Sequence, residues 1–283
     1  MKYGFHIFAT EDSIQPGELA REAELRGYDT ILFTEHTHIP VKFLRNDERG
    51  QKILKSYYWR AYDPFIASTI AAAWTTNIKI GTGVSLVLHH HPITLAKQVA
   101  TIDQLSSGRF VFGIGSGWIP EEMKNHGVDY HTRYRFIQEQ VQAMKRIWKE
   151  AEPEFKGEYV NFSKIKAFPK PIQSPHPPLI AGGGAGPKSL DFIARHCDGW
   201  MPILGIPEWQ KIKDGISNLH KRLDEIGRGP KALEFSIFAW SLPDRRMIED
   251  MEIMGIKKII LSLEAKSREE VLPILDKYAS LNE

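Results

Sequence analysis

The sequence predicts a closed (β/α)8 barrel, and two observations lead to this fold class. Short runs of β-branched and aromatic residues alternate with stretches of helical periodicity, which gives about eight strand-then-helix units. The chain has 283 residues, somewhat more than the roughly 250 that are usual for such barrels. An open, doubly wound sheet is the alternative, but it would have fewer strands and a division into halves that this pattern does not show. We therefore expect residues 1–283 to form one α/β barrel domain.

Each element has its own signal in the sequence. Apolar runs bounded by turn residues predict strands at Tyr3–Phe8, Asp29–Thr34, Ile78–Val84, Arg109–Ile114, Pro178–Ala181, Gly199–Pro202, Glu234–Ala239 and Lys258–Leu263. Apolar residues repeating every three or four positions, often after a proline or aspartate, predict helices at 16–26, 63–74, 92–102, 132–149, 187–193, 208–226, 247–254 and 268–279. Residues 151–177 interrupt this alternation, and their short aromatic stretches and prolines predict an inserted hairpin and a linker. The polar segment 37–60 is long enough to be a functional loop or a lid.

Composition and charge exclude several classes of protein. Lys and Arg number 37 against 35 Asp and Glu, so a nucleic-acid-binding face is not expected. No apolar run approaches the roughly 18 residues of a membrane helix, so no membrane partner is expected. The single cysteine, Cys197, cannot form an internal disulfide, and the N-terminus reads as a first strand and not a signal peptide. These features favour a cytoplasmic protein.

Glycines follow several of the predicted strands. The segment 78–118 is a strand-helix-strand unit whose second strand runs into Gly113-Ile114-Gly115-Ser116-Gly117. A later strand ends in Gly182-Gly183-Gly184, just before a helix. Glycines at this position let the backbone approach a ligand and leave N–H groups pointing at an anion. The pattern favours a phosphate-bearing ligand over the carboxyl ends of the strands, although tight turns without a ligand remain an alternative.

Other readings of these motifs are weaker. Gly113–Gly117 lacks the GxGxxG spacing of a dinucleotide site, and Pro187 stands between Gly186 and Lys188 where a Walker A loop would place its lysine directly. His89–His91 are consecutive, so their side chains cannot converge on one ion and a structural zinc site is not expected.

Glu35 and His36 follow a predicted strand directly, where the catalytic side chains of barrels collect. Histidine suits proton transfer near neutral pH. Position alone favours a loop histidine bonded to a backbone carbonyl over a catalytic one.

Several segments together resemble the bacterial-luciferase-like monooxygenase and flavin reductase superfamily, and within it most of all the coenzyme F420-dependent oxidoreductases. The segments are ELAREAELRGYDTILFTEH, IKIGTGV, HPITLAKQVATIDQLSSGRFVFGIGSGW and PLIAGGGAGPKSLDFIARHCDGW. The resemblance implies a barrel whose carboxyl-end face holds a flavin or a 5-deazaflavin, and a homodimer.

The resemblance also implies roles for individual residues. His36 and Glu35 match the catalytic pair beside the cofactor ring, with Glu35 orienting His36 or binding the ring edge. Gly83 and Val84 match a non-proline cis peptide behind the ring. Independently of the resemblance, Trp118 adjoins the first glycine loop and is for that reason the best candidate to face a flat ring. The residues that match the two phosphate-contacting loops are Gly115, Ser116, Gly117, Gly182, Gly183 and Gly184.

The implied reaction is hydride transfer between F420 and a small, largely apolar organic substrate. The alternatives are an FMN-dependent monooxygenase that uses reduced flavin and O2, and a non-catalytic flavin-binding protein. F420 and FMN share a ribityl phosphate, so the glycine loops do not separate them. The basic residues of 42–60 could attract the anionic tail of F420, or could equally form a solvated loop.

Overall fold

Eight parallel strands close into a barrel in the structure, a computed structural model that describes residues 1–44, 54–206 and 208–282. The strands of the barrel are β1 (Lys2–Ile7), β2 (Thr30–Phe33), β3 (Lys79–Leu86), β4 (Phe110–Gly115), β7 (Leu179–Gly182), β8 (Gly199–Met201), β9 (Glu234–Ala239) and β10 (Ile256–Leu263). Two short strands, β5 (Phe155–Lys156) and β6 (Asn161–Phe162), pair antiparallel outside the barrel. The predicted barrel and the inserted hairpin are both confirmed.

Helices surround the barrel and connect its strands. They are α1 (Pro16–Leu25), α2 (Tyr57–Arg60), α3 (Pro64–Ala73), α4 (Pro92–Leu105), α5 (Pro120–Asn125), α6 (Arg133–Lys149), α7 (Pro187–His196), α8 (Trp209–Glu225), α9 (Arg245–Ile253) and α10 (Arg268–Ala279). Proline at the first position begins several of them because its fixed φ suits the first helical turn. No helix in the described ranges is long and apolar enough to cross a membrane.

The strand order around the barrel is β1-β10-β9-β8-β7-β4-β3-β2, and the register is parallel at every pair. Parallel register places all carboxyl ends at one face of the barrel, where the connecting loops gather. The barrel interior is filled by a cluster of buried side chains, Leu32, Ile180, Met201, Phe238 and Ile260. A larger apolar layer lies between the strands and the helices.

The opposite end of the barrel is closed by charged residues. Lys258 is buried, and its Nζ lies 2.8 Å from a carboxylate oxygen of Asp29. Burial alone would raise the pKa of Asp29, but the charge of Lys258 and hydrogen bonds from Lys2, Lys258 and Thr30 hold it well below its usual range. This ion pair lies among the amino-terminal ends of the strands, opposite the face where the carboxyl ends meet.

The peptide bond between Gly83 and Val84 is cis, in agreement with the expectation from the family resemblance. The hydroxyl of Thr34 donates a hydrogen bond of 2.8 Å to the carbonyl oxygen of Gly83. A Cβ atom at position 83 would lie 2.7 Å from the Cβ of Leu32, which is closer than packed carbon atoms approach. Glycine is therefore required at this point of β3.

Two helices were not predicted from the sequence, α2 and α5. Both are short, with 4 and 6 residues, and neither spans enough positions to show a 3.6-residue repeat. Helix α5 carries Glu122, whose side chain is buried.

Candidate active site

Two buried carboxylates and several histidines lie at the carboxyl-end face, beyond the ends of β2, β3 and β4. Glu35 and His36 follow β2, His89 and His90 follow β3, and Glu122 belongs to α5, which follows β4. The side chains of Glu35, His36 and Glu122 are each less than 5% exposed. The site therefore contains charged groups that only polar partners can stabilise inside the protein.

Glu35 forms one carboxylate–histidine pair. Its Oε1 lies 2.6 Å from Nε2 of His90, and its Oε2 accepts hydrogen bonds from the Ser85 hydroxyl at 2.8 Å and the Leu86 amide at 2.6 Å. Burial alone would lower the pKa of His90, but its hydrogen bond to Glu35 and the charges of Glu35 and Asp63 raise it. Glu35 thus fixes the segment that follows the cis peptide.

His36 forms the second pair, and its partner is Glu122. Nδ1 of His36 lies 2.8 Å from one carboxylate oxygen of Glu122 and 3.0 Å from the other. A carboxylate only accepts hydrogen bonds, so Nδ1 carries the hydrogen and Nε2 is the nitrogen available to a ligand. The His36 ring lies among Phe8, Tyr58 and Trp118, with the centroids 5.4–6.4 Å apart.

The two adjacent residues Glu35 and His36 therefore have different partners. In extended backbone, neighbouring side chains point to opposite sides of the chain, which takes Glu35 toward β3 and His36 toward α5. The expected orientation of His36 by Glu35 is not found: within the described part of the chain, the hydrogen bonds of Glu35 go to Ser85, Leu86 and His90. Sequence reasoning missed Glu122, and the only signal was an acidic residue a few positions after the glycine loop.

His89 lies on the other side of Glu122. Its ring is 1% exposed, its Nδ1 is 3.9 Å from a Glu122 oxygen, and its plane stacks on His126 with the centroids 4.2 Å apart. Burial, followed by the charges of His126, His90, His36 and His38, lowers the pKa of His89 to about 3. This histidine is consequently neutral at physiological pH.

An aromatic pocket opens beside His36. Its walls are formed by residues after β1, around α2 and after β9 and β10, namely Phe8, Leu54, Lys55, Tyr57, Tyr58, Trp240, Ser262, Leu263, Glu264 and Ala265. The rings of Phe8 and Tyr57 are 4.9 Å apart, and those of Phe8 and Tyr58 are 4.7 Å apart. Such a pocket is suited to an apolar organic molecule, with a few polar groups to orient it.

The two glycine runs line one cavity. It lies at the carboxyl ends of the neighbouring strands β4 and β7, where Ile114 pairs with Ala181. The lining residues are Ile114, Gly115, Ser116, Tyr134, Ile137, Ala181, Gly182, Gly183, Ser189 and Phe192. Gly115 and Ser116 of the first run therefore lie beside Gly182 and Gly183 of the second, whereas Gly117 and Gly184 are not among the lining residues.

The cavity has the features that a phosphate needs. A Cβ atom at Gly115 or at Gly182 would lie 2.8 Å from a methyl carbon of Val84, so these two glycines leave room for the side chain that follows the cis peptide. Helix α7 begins beside the cavity at Pro187, and the first-turn amides of a helix have no partner within the helix. The hydroxyl-bearing Ser189 is buried in the same wall. Backbone amides, a hydroxyl and the positive end of a helix dipole together suit an anion.

The basic residues of the segment 42–60 are only partly described, because 45–53 lie outside the described residues. The described ones form ion pairs: Lys42 with Glu121, Lys55 with Glu264, and Arg60 with Glu11 and Asp12. These contacts match the solvated-loop interpretation more closely than attraction of an anionic tail. In the described part of the chain, no group of three or more His, Cys, Asp or Glu side chains could hold a metal ion.

The chain belongs to the luciferase-like monooxygenase family, whose model matches residues 13–262. The match covers the barrel from just before α1 to the last strand.

Two relatives and one solved structure are similar to the chain to different extents. An uncharacterized protein of Mycobacterium tuberculosis is 32% identical over 282 residues, which is 99% of this chain and 98% of that protein. An FMNH2-dependent dimethylsulfone monooxygenase of Pseudomonas putida is 37% identical over 110 residues, 38% of this chain and 30% of that protein. The structure of an F420-dependent secondary alcohol dehydrogenase with an F420–acetone adduct superposes with a TM-score of 0.77 at 18% identity, covering 99% of this chain and 97% of that one.

Proposed function

We propose that the protein is an F420-dependent oxidoreductase that transfers a hydride between the deazaflavin and a small, largely apolar organic substrate. The observation that carries the proposal is the joint position of three features at one barrel face. These are the glycine-lined cavity, the buried His36 and the aromatic pocket beside it. A cofactor with its phosphate in the first would extend toward the second, and a substrate would enter through the third.

The residues that would hold the cofactor are those of the two glycine runs and of the cis-peptide segment. Gly115, Ser116 and Gly117 on one side, and Gly182, Gly183 and Gly184 on the other, would bind its phosphate through backbone amides. Gly83 and Val84 would support the ring from behind, and Trp118 would contact its edge. When bound, the deazaflavin supplies or accepts the hydride, and the protein's part is to orient it.

The chain's own residues supply the proton transfer and the exclusion of water. His36 would give or take the accompanying proton at Nε2, because its Nδ1 is occupied by Glu122. Phe8, Tyr57 and Tyr58 form an apolar wall beside the His36 ring, which would hold an apolar substrate and displace water from it.

The choice of F420 over FMN rests on overall resemblance and on the similar dehydrogenase structure. An FMN-dependent monooxygenase is the second candidate, favoured by the family description and by the Pseudomonas putida relative. Addition of F420 and FMN separately to the purified apoprotein, followed by fluorescence, distinguishes the two. We expect F420 to bind, whereas tight FMN binding without F420 binding would contradict the choice of cofactor.

His36→Gln tests the catalytic role. General acid–base groups contribute about 100- to 10,000-fold to a rate, so we expect kcat to fall by that order while F420 binding is retained. Turnover is measured as the oxidation or reduction of F420 with a panel of enones, aldehydes, nitro compounds and secondary alcohols. If the wild type turns over none of them and the variant behaves identically, a non-catalytic flavin-binding protein becomes the better account.

We further propose a cytoplasmic homodimer. The single cysteine, Cys197, is buried and is suited to a reducing compartment. Support for the dimer comes from an apolar face of α3 that is exposed in the single chain, formed by Ile66, Ile70 and Trp74.

A further inference from the structure

Glu122 is a buried carboxylate in contact with His36, the proposed catalytic histidine. Its side chain is 2% exposed, yet it carries a carboxylate with both oxygens directed at Nδ1 of His36. Burying a carboxylate is costly unless hydrogen-bonded partners compensate for the lost water. Because burying the Glu122 carboxylate costs free energy and its partner is the proposed catalytic histidine, we looked for a role in catalysis.

We propose that Glu122 is a positioning residue for His36, whose Nδ1 hydrogen it accepts so that the ring is held in one tautomer with Nε2 directed to the reacting atoms. The inference rests on the proposed function of His36. A histidine whose Nδ1–H is fixed has its lone pair at Nε2, and second partners of this kind set both the tautomer and the orientation of the ring.

His89, the other titratable side chain close to Glu122, does not pair with its carboxylate. His89 faces it from the segment after β3, but burial lowers the pKa of His89 to about 3, so this ring remains neutral and does not compete. Neither ring nitrogen of His89 has a hydrogen-bond partner among the described residues, and the Nδ1 distance of 3.9 Å to Glu122 is too long for one.

The other titratable groups around this pair have partners of their own. Glu35 is bonded to His90 at 2.6 Å, so the second buried carboxylate is not available to His36. His126 and His38 both contact the Thr37 hydroxyl, at 2.7 and 3.0 Å. Burial, followed by the charge of His38, lowers the pKa of His126. Among the described residues, Glu122 is the carboxylate in contact with His36.

The direct test is the tautomer of His36, measured without cofactor by long-range 1H–15N NMR on protein labelled at histidine. The His36 signals are assigned by their loss in His36→Gln. We expect the wild type to show the Nδ1–H form, and Glu122→Gln to show a mixture of both tautomers, because an amide can donate to Nδ1 or accept from it. Glu121→Gln is the matched control, since Glu121 lies on the same helix and pairs with Lys42.

Kinetics provide the second readout. Second partners of catalytic or metal-bound groups typically contribute about 10- to 100-fold, so we expect Glu122→Gln to lower kcat by that factor. The cofactor Kd and the substrate KM should change by less than about threefold, because Glu122 touches neither in the proposed arrangement. Glu122→Asp keeps the carboxylate and should recover part of the loss in kcat.

The outcomes separate this inference from the proposed function. A Glu122→Gln protein that keeps a pure Nδ1–H tautomer overturns the positioning role, whatever its activity. If Glu122→Gln lowers both kcat and the melting temperature while the tautomer stays the same, Glu122 has a structural role, and this result also overturns the proposal. Should His36→Gln leave activity unaltered while Glu122→Gln shifts the tautomer, the positioning stands and the catalytic role of His36 fails.

Discussion

Ser189 is a single residue on which the proposed phosphate site can be tested. Its side chain is buried at the wall of the glycine-lined cavity, in the first turn of α7. A hydrogen bond to a charged group contributes about 1.5–3 kcal/mol, so Ser189→Ala should weaken cofactor binding by roughly 10- to 100-fold. Titration by fluorescence measures the Kd. Ser217→Ala, in α8 and with its hydroxyl bonded to the Lys213 carbonyl, is the control, and equal affinities for the two variants would argue against this anion site.

Two of the three central site residues, Glu35 and His36, could be predicted from the sequence, whereas Glu122 could not. Glu35 and His36 were identified because both follow a strand directly, and that position is local information. Their partners His90, after β3, and Glu122, in α5, lie 55 and 86 positions away along the chain. Their pairing follows from the direction of each side chain in the closed barrel, which no local pattern encodes. Glu122 could therefore be found only from the structure.

Helix α3 has an exposed apolar stripe that we propose as a dimer interface. Its outward residues Ile66, Ile70 and Trp74 are 64%, 43% and 53% exposed, and a spacing of four places them along one stripe. Large exposed apolar patches usually mark interaction surfaces, and a second copy of this chain is the partner we propose. Ile66→Lys combined with Ile70→Lys should convert a dimer into a monomer.

Sedimentation velocity or light scattering at several concentrations measures the change in mass. The control is Ile253→Lys on α9, where a similar side chain is 82% exposed but lies outside this stripe. A wild type that is monomeric at all concentrations, or a double variant that remains dimeric, would show that α3 is not the interface.

The observed bounds of the helices and strands show where the sequence patterns predict an element correctly and where they do not. The last helix, Arg268–Ala279, and the strand Glu234–Ala239 were predicted with their observed bounds, because long periodic or alternating runs carry a strong signal. Strand β3 continues to Leu86, two residues beyond the predicted end at Val84. Its register with β4 shifts between Thr82 and Ser85, around the cis peptide, and such an irregularity has no counterpart in an alternation rule.

The whole molecule was predictable as a barrel because repetition is visible without any knowledge of contacts. Eight alternating units favour a closed sheet, and a closed parallel sheet places all ligand-binding loops at one face. The convergence of Gly115 and Gly182 follows from that topology once β4 and β7 are neighbours. The shape of the aromatic pocket does not follow, because its walls come from four separate loops whose side-chain directions depend on packing.

The pH dependence of stability is a property of the whole molecule, since buried histidines lie at both the barrel interior and the active site. Burial lowers the pKa of His6 to about 4 and that of His89 to about 3. A lowered folded-state pKa means that, as the pH falls below about 6.5, the unfolded chain binds these protons first. The free energy of unfolding should therefore be highest above pH 7 and should fall between about pH 6.5 and pH 4.

His90 acts in the opposite direction, because its pKa is raised and its contribution to stability is lost as the pH rises through the folded-state value. Burial lowers the pKa of three histidines, His6, His89 and His196, so we expect the loss of stability toward low pH to set the sign of the slope. Urea unfolding at pH 7.5, 6.5, 5.5 and 4.5 measures the slope. His6→Gln should flatten it, whereas His131→Gln, at an exposed position, should leave it unchanged. An identical slope in both variants would mean that the buried ring of His6 is not what couples protonation to unfolding.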